Sequence, residues 1–321
     1  FSNLGWKVSE IGIGCWAIGS EWGDVSPENA KDALFTSLDN GVNFFDTADV
    51  YGDGRSEKFI GEILKNTKEK IYVATKAGRR LDPHVSEGYN LNNIEAFIDR
   101  SLLNLGIDTI DLLQLHCPPS DICGKSETYE MMDEIVKKGK IKYYGVSVEK
   151  VSEALNAIKF PNVKSIQIIF NIFRQKPSEI FFKEAKKNNV AIIVRVPLAS
   201  GLLTGKMNLN SSFPKNDHRN YNINGDSFDV GETFSGINFH KGIEAVKELK
   251  TLLPQDFSLT DLALKWILSH DEVTVVIPGA KNKLQAQLNT RASEMNNINT
   301  IMNSISDIYQ SYFKDDVHSR W

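Results

Sequence analysis

The chain has 321 residues, a net charge of −4, 41% hydrophobic and 24% charged residues, which is ample for a buried core and ordinary for a globular protein. No basic run points to a nucleic-acid partner, no apolar run reaches the ~18 residues that span a bilayer, and no signal-peptide pattern is present. Cys15, Cys117 and Cys123 are an odd count and too few for a disulfide framework, so the cytoplasm is the expected compartment, with a few native residues expected ahead of Phe1.

Short β-rich runs alternate with amphipathic stretches along almost the whole chain. Strands are predicted at 11–15, 43–46, 71–76, 110–116, 143–147, 165–171, 190–196 and 273–278. Helices are predicted near 28–40, 56–66, 93–105, 127–138, 150–159, 178–188, 240–253, 260–269 and 282–292. Eight strands separated by helices imply a parallel sheet. At this length they favour an α/β fold of the closed (β/α)8 type, a TIM barrel, as a single domain over 1–321. Gly12-Ile-Gly14 is only a fragment of the G-x-G-x-x-G pattern, which weakens a doubly wound reading.

One segment breaks the rhythm. Residues 207–239 are rich in Asn, Asp, Gly and Phe, and so long a connection inside a domain is usually a lid, a binding loop or a disordered piece. It follows the seventh strand and would project from the C-terminal face of the barrel. Arg219 within it is a cation placed to reach a diphosphate, and Phe228 and Phe234 could pin a closed state. The tail from 292 has helical spacing and is expected to pack on the outside of the barrel.

Chemistry-bearing residues recur at the strand ends. Strand two ends in Asp46 and its loop carries Tyr51; strand three ends in Lys76 and strand four in His116. Each has an ordinary explanation alone: a helix cap, a solvated lysine, a rim histidine. Together they can move a proton. A free phenol titrates near 10 and is a poor acid at neutrality. A nearby ammonium lowers that value, and a carboxylate keeps the lysine charged and in place. A histidine N–H beside the phenol can hold a carbonyl oxygen that gains negative charge. A hydride donor would still have to be supplied, because no side chain is one. His116 and Cys117 are adjacent on a strand and point to opposite faces, so no metal site is expected from them.

The order Asp46, Tyr51, Lys76, His116, with the strings FFDTADVYGDGRSE, VATK and DLLQLH, resembles the aldo-keto reductase family. The resemblance extends through GIGCWAIG at 12–19, GVS at 145–147, QIIFN at 167–171, VPLASGLLTGK at 196–206 and IPGAK at 277–281. It implies an NADPH-dependent oxidoreductase that reduces aldehyde or ketone carbonyls to alcohols on a metal-free barrel. Carried over by position, Tyr51 is the general acid, Lys76 lowers its pKa, Asp46 pairs with Lys76, and His116 orients the carbonyl. Ser147 would bind the carboxamide of the nicotinamide, with Gln167 beside it. Pro197, Leu198, Gly201 and Lys206 would lie along the pyrophosphate, and Gly279, Lys281, Gln285 and Asn289 around the adenosine. Lys281 also suits a 2′-phosphate on charge grounds.

Trp16 is expected at the nicotinamide end. There, Arg195 stands where many relatives carry an aromatic residue stacked on the ring. Leu288 and Val148 replace polar residues common in relatives. The pocket is expected to be walled by Trp16, Trp22, Tyr51, Tyr89 and the long loop, and to take a small-molecule carbonyl compound. Two alternatives stand beside this reading. One is an NADPH-binding auxiliary or sensor protein, and the other a sugar-modifying lyase or epimerase with a recycled cofactor.

Overall fold

The strand runs are short, β-branched and apolar on both faces, as parallel strands covered by helices require. The computed structural model describes residues 1 and 3–321 in full and the backbone of Ser2. Eight parallel strands follow one another in chain order: β1 Ile13–Gly14, β2 Phe44–Asp46, β3 Tyr72–Ala77, β4 Ile110–His116, β5 Ile141–Ser147, β6 Val163–Ile169, β7 Ala191–Arg195 and β8 Val273–Val276. Ile11 bridges to Val276 and Gly14 to Gly279, both parallel. With Gly12 N–H donating to Val276 O at 2.8 Å, these contacts join the last strand to the first. The architecture is the expected (β/α)8 barrel. Among the described residues, no helix is long and apolar enough to cross a membrane.

β1 is much shorter than the expected 11–15 run. Here the backbones approach closely: a Cβ on Gly12 would lie 2.8 Å from Phe44 O, and one on Gly14 would lie 2.7 Å from Ile277 O. Ladder contacts nonetheless extend across the expected run, from Ile11 bridging Val276 to Cys15 N–H donating to Asp46 O at 2.8 Å, before a single helical turn, Trp16–Gly19.

The helices start where capping residues dictate. Ser26 accepts from Asn29 N–H ahead of Pro27–Asp39, Asn90 accepts from Asn93 N–H ahead of Leu91–Leu105, and Ser258 and Asp261 form a capping box ahead of Leu259–Leu268. Apolar faces of these helices cover the sheet in one continuous core. A second cluster plugs the N-terminal mouth. There Phe1 stacks on Phe44, and Trp6 stacks on Tyr72 with centroids 4.5 Å apart. The opposite, C-terminal mouth is left for polar side chains. The tail forms a helix, Met302–Tyr312, on the outside as expected.

Candidate active site

Parallel pairing brings the expected strand-end residues to one level. Gly14 aligns with Asp46, Asp46 with Ala74, His116 with Ser147, and Ser147 with Gln167. The loop after β2 is pinned beneath this level: Thr47 Oγ1 donates to Ser56 Oγ and Ser56 Oγ to Cys15 O, at 2.8 and 2.9 Å. Thr75 Oγ1 donates to the buried Glu57 at 2.6 Å. Tyr51 sits directly against the Trp16–Gly19 turn. A Cβ on Gly19 would lie 2.7 Å from the Tyr51 carbonyl carbon, so only glycine allows that approach.

At the centre, Lys76 has one acceptor for each of its ammonium protons. Asp46 Oδ1 is at 2.5 Å, Thr47 O at 2.8 Å and Tyr51 Oη at 3.3 Å. The other Asp46 oxygen accepts from Gln114 and Gln167 at 3.0 and 2.7 Å. Asp46 and Lys76 are both almost fully buried, where charges are tolerated only when paired and hydrogen-bonded. Because Lys76 donates to the phenol oxygen, Tyr51's own proton is free to point into the cleft.

Lys76 stands where the expected lowering of the Tyr51 pKa requires it, but the net direction is upward. Burial, and then Asp46, push the phenol well above its usual value, against the opposing Arg195 and Arg79. Tyr51 therefore keeps its proton at neutral pH, which is the state a proton donor needs. His116 is pushed well below its usual value, first by burial and then by Arg79, Lys76 and Arg195, so it is neutral. Its Nδ1 is buried without a partner. A lone pair left unpaired costs less there than an N–H would, so the proton belongs on Nε2, the nitrogen open to the cleft.

The cleft has a volume of about 330 Å³ and runs from Asp46, Tyr51, His116, Trp16 and Gln167 past Arg195, Pro197, Leu198 and Gly201 to Lys206, Arg219, Gly279, Lys281, Gln285 and Asn289. Of the sequence-predicted site residues, Lys76 and Ser147 do not line it. Lys76 lies behind Tyr51, and Ser147, fully buried, has its Oγ 3.7 Å from Cys117 Sγ. Tyr89 is not a wall either, contrary to expectation: it packs against Gly78 and shares a hydrogen bond with His84. Trp22 does line the cleft.

Cations gather at the far end. Lys281 Nζ donates to Trp22 O, and burial and then Arg219 lower the pKa of Lys281. Arg219 is held by Asp217 at 2.6 and 2.8 Å and lies over the rings of Trp22 and Phe213.

Sequence reasoning missed Glu232 and Arg79. Glu232, in the long loop, is buried in the cleft wall. It accepts from Arg79 at 3.0 and 3.3 Å and pairs with Arg195 at 3.2 Å. Those two guanidiniums overcome burial and hold its carboxyl down at about 2. Arg79 also reaches Glu149 at 3.3 Å. Glu232 lies 153 positions from Arg79 and nothing in that separation marks it as the partner; a lone glutamate in a loop rich in Asp, Asn and Gly was the only local signal. The donor atoms of Cys117, Glu149 and Glu232 lie within 4.8 Å of one another. They are already taken by Arg79 and Arg195, and burial holds the Cys117 thiol up at about 11. That set suits guanidiniums rather than a metal.

Residues 10–309 match the model of the Aldo/keto reductase family. The chain is 30% identical to an uncharacterised oxidoreductase, YqkF, of Bacillus subtilis (strain 168), over 97% of this chain and 94% of that protein. It is also 30% identical to the aldo-keto reductase yakc of Schizosaccharomyces pombe, whose name specifies NADP(+), over 85% of this chain and 80% of that protein. Among solved structures, it is similar to a glycerol dehydrogenase from Gluconobacter oxydans, with a TM-score of 0.78 and 27% identity, covering 96% and 93% of the two chains.

Proposed function

Since the chain belongs to the Aldo/keto reductase family, we propose that it reduces aldehyde or ketone carbonyls to alcohols with NADP(H), Tyr51 giving the proton. One observation carries the reading. A buried, protonated phenol backed by Lys76 opens into the same cleft that ends in Lys206, Arg219 and Lys281. The lining fits a dinucleotide. Trp22 Nε1 and Arg195 Nε are buried donors without partners. A Cβ on Gly279 would meet nothing closer than 3.7 Å, so a ligand can approach the backbone there. Lys281 and Arg219 supply positive charge suited to phosphates, and Gln167, which lines the cleft, is the carboxamide partner on this reading.

The cofactor supplies the hydride; the chain supplies position and the proton. Tyr51 Oη and His116 Nε2 hold the carbonyl oxygen, and as negative charge develops on it the phenol proton transfers across. The phenolate left behind is stabilised by Lys76 at 3.3 Å, itself anchored by Asp46. A neutral His116 offers one N–H donor and no charge, which suits a hydrogen-bonding role.

Tyr51→Phe tests the reading. General acid catalysis is typically worth about 10²–10⁴-fold, so turnover of a reactive aldehyde such as 4-nitrobenzaldehyde should fall by at least that lower figure. NADPH affinity should stay within about twofold, since the phenol makes no essential cofactor contact. A variant keeping more than about a tenth of wild-type turnover would refute the role of Tyr51.

A further inference from the structure

The reacting end of the cleft is floored by a charge pair. Arg195 ends β7 with 8% of its surface exposed, and its Nη2 is fixed by Val148 O at 3.2 Å and Cys117 Sγ at 3.5 Å. Its Nη1 meets Glu232 at 3.2 Å. Both residues line the cleft beside Tyr51, His116 and Gln167. A hydride donor must bring its reacting carbon within ~3.5 Å of the carbonyl carbon held by Tyr51 and His116. On the cofactor reading proposed above, the nicotinamide therefore lies in this part of the cleft, against Arg195.

A nicotinamide ring is neutral when reduced and carries one positive charge once it has given up hydride. Everything else about the two forms of the cofactor is the same, including every phosphate. A fixed guanidinium at the ring penalises only the oxidised form. Glu232, bonded to that guanidinium and held ionised by two arginines, offsets the penalty without removing it, because Arg79 takes part of its charge.

We propose that the Arg195–Glu232 pair sets the ratio of affinities for the reduced and oxidised cofactor, tilting the site toward binding NADPH and releasing NADP+. The pair thus biases the enzyme toward carbonyl reduction rather than alcohol oxidation. This inference rests on the proposed cofactor site and adds a role for two residues within it.

The test is the ratio of dissociation constants for NADP+ and NADPH, titrated separately by intrinsic tryptophan fluorescence on the full chain. Arg195→Leu should lower the ratio on the order of tenfold, because a unit charge at van der Waals distance in a partly buried site is worth at least that much. Arg195→Lys should restore most of it, and Glu232→Gln should raise it above wild type. For a two-electron couple a tenfold change in the ratio moves the midpoint potential of the bound cofactor by about 30 mV. Arg195→Leu should therefore lower that potential, and Glu232→Gln raise it.

General loosening of the site would weaken both forms alike and leave the ratio unmoved, which would overturn the proposal. So would both variants shifting the ratio in the same direction. A wild-type chain that bound neither form would bring down the cofactor reading itself, a result distinct from tight binding of both with an unmoved ratio.

Discussion

Asp49 is fully buried in the loop between Asp46 and Tyr51, and its carboxylate has no side-chain hydrogen-bond partner among the described residues. Burial, with Glu57 nearby, lifts its carboxyl to about 7 against the opposing pull of Arg80 and Arg100. Folding therefore favours the protonated acid. As pH rises from near 4 the unfolded chain loses this proton first, so stability falls until about pH 7 and then levels, by up to roughly 4 kcal/mol. Asp49→Asn removes the titration. Its melting temperature should match wild type near pH 4 and exceed it at pH 8; a difference independent of pH would show that Asp49 does not carry this penalty. Lys281 is the other residue with a sharp expectation. Losing a charge-assisted bond to phosphate costs about 1.5–3 kcal/mol, so Lys281→Ala should weaken NADPH binding about tenfold or more and leave NADH binding nearly unchanged. Equal losses, measured by fluorescence titration of both, would rule out a 2′-phosphate contact.

The long connection after β7 behaves as two elements. Its first part crosses the cleft as a strap. Asn216 donates to Asp24 at 2.9 Å, His218 N–H donates to Glu21 O at 2.8 Å, and Asp217 bridges to Trp22. The His218 ring seats between Trp16 and Trp22 with centroids 4.7 and 4.5 Å away. Its second part is built into the barrel. Ser200 Oγ donates to Glu232 O and accepts from Phe234 N–H, both at 3.0 Å, Asn171 donates to Ser235 at 2.7 Å, and Phe234 is buried. If the long loop is a lid, its ordering on cofactor binding is expected to concentrate in the strap, which closes over the cleft through residues 216–218. Hydrogen exchange with and without saturating NADPH should show added protection over 208–221 and little over 222–238. Equal change across both parts, or none in either, would refute strap closure.

At the scale of the whole molecule, the two barrel mouths divide the labour. The N-terminal mouth is sealed by aromatic packing around Phe1, Trp6 and Phe44, so stability is built where no chemistry occurs. The C-terminal mouth carries buried ions that each cost desolvation and persist because the surrounding shell pairs them. The tail contributes to that shell. The Trp321 indole donates to Asp229 at 3.3 Å and lies beneath the Arg174 guanidinium at 3.9 Å. Arg174 in turn donates to Glu149 O, so the last residue of the chain braces both the long loop and the β5 rim that face the Arg195–Glu232 pair.

Local pattern was enough for the barrel. Strand and helix periods are properties of neighbouring residues, so the order of elements, the strand-end positions of Asp46, Lys76 and His116, and the loop position of Tyr51 were legible from the chain alone. The resemblance of its motifs to a family added the rest of the cleft, from Gln167 to Asn289. Pairing across the barrel was not legible. Glu232 finds Arg79 and Arg195 only because closure of the sheet brings the long loop over β3 and β7, and no spacing in the sequence encodes that contact. The Tyr51 proton was decided the same way. A lysine near a phenol argues for a lowered pKa, but the tertiary structure pairs that lysine with Asp46 and buries the phenol, and desolvation then outweighs the remaining charge.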